Sequence, residues 1–168
     1  TDLQSARAVA PDDPRAIYLT GLLAEKQRKA PEAKQAMTQL TNLLDPIPVK
    51  YLKYRPQILL LGGMAHYALG QPEKAKPYLE GVIRTQPGHP AAKVLAAVHM
   101  GLKAPDQAVA VIEPYAKSHP TDMQALTLMA RAQMAAGRHA RAIQILQEGL
   151  KVRSEEHTSE LQSRLHLV

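Results

Sequence analysis

The decisive stretch of this sequence is Gly63-Met-Ala-His-Tyr-Ala-Leu-Gly70-Gln-Pro-Glu-Lys-Ala75. It combines a small residue, an apolar run, a turn and then an alanine. The same order returns in Ala130-Arg-Ala-Gln-Met-Ala-Ala-Gly137-Arg-His-Ala-Arg-Ala142 and, more loosely, in Ala97-Val-His-Met-Gly-Leu-Lys-Ala-Pro-Asp-Gln-Ala108. The copies lie about 34 residues apart. A fixed period of this length is typical of stacked helical hairpins, which bind partners more often than they catalyse reactions.

Prolines mark where the helices are expected to begin and end. Six prolines fit the first turn of a helix, where the missing N–H has no intrahelical partner: Pro14, Pro31, Pro56, Pro72, Pro90 and Pro105. Four more fit the end of a helix: Pro11, Pro46, Pro87 and Pro120. Pro48 falls in a loop, while Pro77 and Pro114 fall inside predicted helices, where we expect a kink or a shifted start.

This punctuation predicts an all-helical chain. A partial helix ends near Ala10, and four pairs follow over 14–27 with 31–44, 56–69 with 72–85, 90–102 with 105–118, and 122–136 with 139–152. Short turns within each pair make its two helices antiparallel neighbours. The Val and Ile residues fall at helical spacing and do not alternate, so no strand is expected.

Composition agrees with close-packed helices. The chain has 168 residues, 45% of them hydrophobic but only 4% aromatic, and it lacks Phe, Trp and Cys. Without Cys it has no disulfide and no thiolate metal site or nucleophile.

The net charge of +6 is a weak indication of an anionic partner. The densest basic segments, 26–29 and 50–55, contain three basic residues each. Of the aromatic residues, only Tyr51 and Tyr54 lie beside such a segment and could stack on bases. An ordinary solvated surface is therefore favoured over nucleic-acid binding, and no apolar run of membrane-spanning length occurs.

The pattern resembles the tetratricopeptide repeat (TPR), which has a small residue in its first helix, an alanine early in its second helix and a proline after it. The small positions match Gly21, Gly63, Ala97 and Ala130; the alanines match Ala33, Ala75, Ala108 and Ala142; the prolines match Pro11, Pro46, Pro87 and Pro120. The alanines are 42, 33 and 34 residues apart, so the first interval carries an insertion within 45–55. The resemblance implies a right-handed α-solenoid of antiparallel helix pairs with about four repeats.

The sequence divides into three parts on this basis. Residues 1–10 are interpreted as the end of a preceding repeat, and 11–152 as the TPR array, with repeats at 11–46, 47–87 (carrying the insertion), 88–120 and 121–152. Beyond 152 the composition shifts to Ser, Glu and His, and Arg153-Ser-Glu-Glu-His-Thr-Ser-Glu-Leu-Gln-Ser163 resembles the translation of a sequencing-library adapter. We therefore interpret 153–168 as an artefactual tail and leave it out of the functional reasoning.

Several phrases resemble a narrower family, the TPR protein of the bacterial PEP-CTERM/exosortase system. They are Asp13-Pro-Arg-Ala-Ile-Tyr-Leu19, Pro56-Gln-Ile-Leu-Leu-Leu-Gly-Gly63, His66-Tyr-Ala-Leu-Gly70 and Gly88-His-Pro-Ala-Ala-Lys-Val-Leu-Ala96. This resemblance implies a role in the export of exopolysaccharide and surface proteins. It also implies a location in the bacterial cell envelope or periplasm, with the cytoplasm as the alternative.

Residue patterns that carry catalysis or bind metals and cofactors do not occur in the sequence. His66 and His99 lie on first helices without the i, i+4 partner and acidic neighbour of a zinc helix, and the other histidines fall in turns or in the tail. Asp12, Asp13 and Asp122 precede helices and are interpreted as caps. Phosphate-binding glycine loops and Gly-x-Ser-x-Gly elbows do not occur. We expect neither an enzyme nor a cofactor.

The TPR resemblance also implies a binding surface, because the first helix of each pair lines the concave face. The corresponding positions are Arg15, Tyr18, Leu22, Glu25, Gln57, Leu60, Met64, Tyr67, Val94, Val98, Gln124, Thr127, Arg131 and Met134. Met64 and Tyr67 are the expected anchors for a peptide or a partner helix. Alternatively, Leu60, Val94 and Val98 only pack against neighbouring helices. TPR domains that clamp chaperone C-termini carry Lys and Asn here, so a dicarboxylate clamp is not expected.

Three functions remain open at this point. The favoured one is a non-catalytic scaffold for protein–protein interaction, part of a longer TPR array. The second is a structural spacer whose faces contact only neighbouring repeats of the same chain. The third is binding of an anionic polymer through the basic surface, which would show steep salt dependence.

Overall fold

The computed structural model describes residues 10–165, with side chains up to residue 155. Within this range the chain forms eight α-helices: α1 Pro14–Lys26, α2 Ala30–Leu44, α3 Pro56–Ala68, α4 Pro72–Thr85, α5 Ala91–Gly101, α6 Pro105–Ser118, α7 Met123–Ala135 and α8 His139–Leu165. A short 3-10 turn, Val49–Leu52, lies between α2 and α3. The described residues contain no strand, so the prediction of an all-α fold is confirmed. The partial helix predicted before residue 10 falls outside the described residues.

Helix ends follow the predicted punctuation within one residue, with one exception. The prediction that the last helix ends near 152 is wrong, because α8 continues without a break to Leu165. Residues 153–165 contain no Pro or Gly, and eight of the thirteen are Glu, Leu, Arg or Gln, which have good helix propensity. A change of composition therefore does not end a helix when the new residues are themselves helix formers.

Most helices begin as expected, with proline in the first turn of α1, α2, α3, α4 and α6. The exception is Pro90, which directly precedes α5 instead of lying in its first turn. At this helix start the Nδ1 atom of His89 accepts a hydrogen bond from the free N–H of Ala91, at 3.0 Å. Pro77 and Pro114 lie inside α4 and α6 without shifting the start of either helix.

Every pair turns through a residue with left-handed backbone conformation. Gly70 and Gly137 have φ of 69° and 78°, as glycine allows without strain. Arg28 and Lys103 occupy the same position in their pairs with φ of 60° and 56°. In all four turns the next N–H bonds the carbonyl five residues back, as from Ala104 to the preceding helix at 2.9 Å. This bond pattern ends a helix and redirects the chain after one turn.

The helices are arranged in two layers. Each helix packs against the next one in the chain, and the first helices of successive pairs, α1, α3, α5 and α7, also contact one another. Among the described residues, no Cα atom of one second helix (α2, α4, α6 or α8) lies within 8 Å of a Cα atom of another. First helices therefore form the inner layer of the solenoid, and second helices fan out on its convex side.

Small residues bring the two layers together. A Cβ atom placed on Gly63 of α3 would lie 2.6 Å from Leu79 Cγ of α4, which is too close for two carbons. Ala130 of α7, at the corresponding position, is 2% exposed. The predicted role of the small position, close approach of two helix backbones, is thus seen directly in the second pair.

Candidate functional site

The inner layer carries a groove of about 490 Å³, open to solvent. Its walls come from all four first helices and from the residues just before α5, and no second helix contributes. The lining residues are Tyr18, Leu60, Leu61, Met64, Tyr67, His89, Pro90, Ala91, Lys93, Val94, Ala97, Gln124 and Leu128. A groove of this volume lies in the range of known ligand sites.

The floor of the groove is apolar because α3 carries apolar residues on most of its circumference, with Gln57 and His66 as exceptions. One side of α3 is buried against α2 and α4 through residues such as Leu59 and Ala65, both 0% exposed. Leu60 and Met64 lie on another side, one turn apart, and are half-buried. Tyr67 continues the same side and is 43% exposed. An apolar helix side that stays open to solvent costs hydration free energy, so it is a candidate for covering by a partner.

Lys93 and Asp122 supply charge at the α7 side of the groove. The Lys93 ammonium donates hydrogen bonds to the Asp122 carboxylate at 2.8 Å and to Gln124 Oε1 at 3.4 Å. The Tyr115 hydroxyl donates to the same carboxylate at 3.0 Å. The hydrogen bond to Asp122 raises the pKa of Lys93. Lys93 thus stays charged at the groove wall, and its direction is fixed by its partners.

Asp122 is also the cap of α7, as the sequence predicted. Its Oδ1 atom accepts hydrogen bonds from the N–H groups of Gln124 and Ala125, both at 3.0 Å. Burial raises the pKa of this carboxyl, but the hydrogen bonds from Lys93, Ala125 and Tyr115 outweigh that effect and hold the pKa at about 2. One carboxylate therefore begins α7 and orients the groove lysine.

His89 and Tyr18 complete the polar part of the lining. Because Nδ1 of His89 accepts from the Ala91 N–H, the neutral ring carries its proton on Nε2. That leaves a donor on a side chain that lines the groove. Burial raises the pKa of Tyr18, the one lining residue from α1. A bound segment would therefore meet an apolar floor between polar donors.

Six of the predicted groove residues line the observed groove, and the others lie elsewhere. Those in the lining are Tyr18, Leu60, Met64, Tyr67, Val94 and Gln124. Arg15 and Gln57 line a separate depression near Tyr54. Exposed residues outside both are Leu22, Glu25, Thr127, Arg131 and Met134. The prediction for Val98 needs correction, because Val98 is 1% exposed and packs in the interior cluster that contains Leu95.

The error at Val98 arises from the register of the third pair. The alanine repeat positions of the second and third pairs are 33 residues apart, so Leu60 and Met64 correspond to Lys93 and Ala97. Both of these line the groove. On the same register Gly63 corresponds to the buried Ala96, and the predicted match of Gly63 with Ala97 is wrong by one residue. By the same interval Leu61 of the second pair corresponds to Val94 of the third, and Val94 corresponds to Leu128 of the fourth pair, 34 residues later. The repeat interval thus contained the signal for Lys93, Ala97, Leu61 and Leu128, while His89 and Pro90 could be found only from the fold.

A second polar cluster lies away from the groove, around His66 of α3. This side chain is 0% exposed, with Nε2 2.8 Å from Asp45 Oδ1 and Nδ1 2.8 Å from Gln71 Oε1. Lys74 donates to the other Asp45 oxygen at 2.9 Å. Burial raises the pKa of Asp45, but its bonds to Lys74 and His66 lower it by more. The cluster ties the start of the insertion to α3 and α4, and among the described side chains no group of three potential metal ligands forms.

Comparisons with known proteins agree with this architecture. Family models of the tetratricopeptide repeat match residues 66–131 and 124–148. A search of curated proteins finds no match. The predicted TPR repeats are thus confirmed over the part of the chain that the two models match. No helix in the described part of the chain is long and apolar enough to span a membrane.

Solved TPR structures share the fold. A crystal structure of MamA superposes with a TM-score of 0.67 at 13% identity, covering 93% of this chain and 87% of that chain. MamA from Desulfovibrio magneticus RS-1 gives 0.68 at 14% identity, covering 91% and 82%. YrrB, described as a TPR protein with an unusual peptide-binding site, gives 0.65 at 15% identity, covering 96% and 79%. The chain therefore has the α-solenoid fold of TPR proteins, a fold typical of protein-interaction scaffolds.

Proposed function

We propose that this chain is a non-catalytic scaffold whose concave groove binds an apolar segment of a partner protein. The observation that carries the proposal is the open apolar side of α3, where Leu60, Met64 and Tyr67 face a groove with no occupant from the described chain. The fold is one that commonly binds peptides, and the solved structure of YrrB is described as having a peptide-binding site.

The geometry also favours a particular kind of segment. Apolar side chains of the partner would insert between Met64 and Val94, where the lining is aliphatic. Lys93, oriented by Asp122 and Gln124, would meet a carbonyl or carboxylate oxygen of the same segment. A segment that pairs apolar side chains with an acidic group fits both features and the positive charge of the chain.

Selection from a displayed library of random peptides would test this proposal. We expect the protein to enrich peptides that carry closely spaced apolar residues beside an acidic one. The double variant Met64→Ala with Tyr67→Ala should bind the selected peptides at least about thirtyfold more weakly, since buried anchor side chains contribute roughly 1–2 kcal/mol each.

A matched control uses exposed apolar residues outside the groove. Leu23 is 44% exposed and Ile143 is 57% exposed, and neither lines the groove. The double variant Leu23→Ala with Ile143→Ala should bind the peptides as the wild type does. Equal affinity of the groove variant and the wild type, or no enrichment over scrambled peptides, would contradict the proposal.

We further propose a cellular setting from the narrower resemblance in the sequence. The phrases at 13–19, 56–63, 66–70 and 88–96 support a place in the PEP-CTERM/exosortase system, in which the partner would be a component of exopolysaccharide or surface-protein export. Fractionation of cells that produce the protein from its own gene should recover it with the cell envelope. Recovery in the cytoplasm alone would contradict this cellular setting, and it would not affect the proposal that the groove binds a peptide.

A further inference from the structure

The insertion, residues 45–55, is held firmly although it lies outside the repeat register. Val49 and Leu52 of its 3-10 turn pack into the interior cluster of α3 and α4, and Leu52 is only 5% exposed. Asp45 is bonded to the buried His66 and to Lys74 at the start of the insertion. The backbone of the insertion is therefore anchored to α3 and α4.

Its outward side is apolar and aromatic. Ile47 is 40% exposed, Tyr51 is 67% exposed and Tyr54 is 82% exposed. All three lie within eight residues of the same short insertion; Tyr51 borders a depression beside α4, and Tyr54 borders one beside Arg15 of α1. Tyr54 is the most exposed large hydrophobic residue of the described chain. None of the three lines the groove, so this surface is separate from the proposed peptide site.

Basic side chains surround these exposed residues. Lys50, Lys53 and Arg55 lie in the same segment, and none of them forms an ion pair with another described residue. The sequence contains no Asp or Glu between Asp45 and Glu73. The Lys50 ammonium lies 5.1 Å from the ring centre of Tyr51. The segment thus presents three positive charges without ion-pair partners next to exposed apolar side chains, and Glu80 borders the same depression as Lys50 and Lys53.

We propose that this insertion is a docking surface for an anionic lipid bilayer. Tyrosine, with its apolar ring and polar hydroxyl, favours the boundary between headgroups and acyl chains. Lysine and arginine beside it attract anionic headgroups, and each basic residue strengthens binding by about fivefold. Ile47 supports a bilayer over a nucleic acid, since an aliphatic side chain neither stacks on bases nor reads them. The lysine ammoniums also occupy one face of each tyrosine ring, at 5.1 Å and 4.7 Å.

Sedimentation with lipid vesicles tests the charge requirement. We expect the protein to pellet with vesicles of phosphatidylcholine mixed with phosphatidylglycerol, and not with phosphatidylcholine alone, and to be released by high salt. Lys50→Ala with Lys53→Ala should lower partitioning by about thirtyfold. Lys26→Ala with Lys34→Ala removes the same net charge from exposed positions of α1 and α2 and should leave binding nearly unchanged.

Tryptophan fluorescence tests the orientation, because the chain has no tryptophan of its own. Tyr51→Trp should show a blue shift on anionic vesicles, since its side chain would enter the interface. Tyr67→Trp, in the groove, should show none. The same shift at both positions, unchanged partitioning of the insertion variant, or binding of a single-stranded oligonucleotide in place of vesicles would each overturn the proposal. None of these outcomes bears on the selected groove peptides.

Discussion

Replacing Gly63 by alanine tests the close approach of α3 and α4. The new Cβ would lie 2.6 Å from Leu79 Cγ and 2.7 Å from its Cδ2. Carbon atoms in contact are normally about 3.5–4.0 Å apart, so the overlap is roughly 1 Å. Leu79 is 0% exposed and cannot turn into solvent. Overpacking of this kind costs about 1–3 kcal/mol, and we expect the upper end because a γ carbon near the backbone has to move.

The gain in helix propensity offsets part of this cost. Alanine in place of glycine stabilises a helix by about 1 kcal/mol. The net effect of Gly63→Ala is therefore a loss of about 2 kcal/mol in the free energy of unfolding. For a chain of this length that corresponds to a melting temperature lower by roughly 4–8 °C. Urea and thermal unfolding, followed by circular dichroism of the helices, would measure both quantities.

The matched control is Gly101→Ala at the end of α5. A Cβ there meets only Pro72 Cβ at 3.9 Å, an ordinary contact distance. The same chemical change should then keep the propensity gain and stabilise the protein by up to about 1 kcal/mol. Opposite signs for the two variants are the expected result. If Gly63→Ala proves as stable as Gly101→Ala, close packing is not the reason for glycine at this position.

Three further perturbations address capping, burial and turn geometry. Asp122→Asn should lower the free energy of unfolding by about 2 kcal/mol at pH 5. The Asp122 carboxyl has a pKa of about 2 instead of the ordinary 3.8, so its stabilisation is fully present above pH 3.8 and is lost as the pH falls toward 2. Urea unfolding of wild type and variant at pH 5 and at pH 2 measures this effect. An equal difference in stability at the two pH values would refute the role given to the Asp122 carboxylate. His66→Ala should cost about 3 kcal/mol, since it leaves a cavity and orphaned partners; a loss below about 1 kcal/mol in urea unfolding would contradict its role. Lys103→Gly should stabilise by about 1 kcal/mol by relieving left-handed strain, while Gly137→Lys should destabilise comparably; melting temperatures that move in the same direction would argue against strain.

The layout of the helices could be predicted because its signals are local. Proline in a first turn acts within a few residues of itself, and Gly70 permits the left-handed turn whatever surrounds it. The small residue and the alanine of each repeat recur at intervals visible in the sequence. The end of α8 escaped prediction because residues after 152 carry no stop signal of their own.

The site was predictable only in part, because it depends on which side of a helix faces the groove. Met64 and Tyr67 follow from repeat position, but a shift of one residue exchanged the groove residue Ala97 for the buried Val98. The cluster around His66 had no sequence signal, since its partner Asp45 is 21 residues earlier in the insertion. Contacts across an insertion depend on tertiary folding, and a repeat pattern does not contain them.

The wider spacing of the second helices, within the described part of the chain, has a mechanical consequence. Bending the stack about its inner layer changes the spacing between helices more on the convex side than in the inner layer. The solenoid should therefore change its curvature with little disturbance of the first helices. Curvature would then set the distance between α3 and α7, so a load or ligand that straightens the stack would widen the groove.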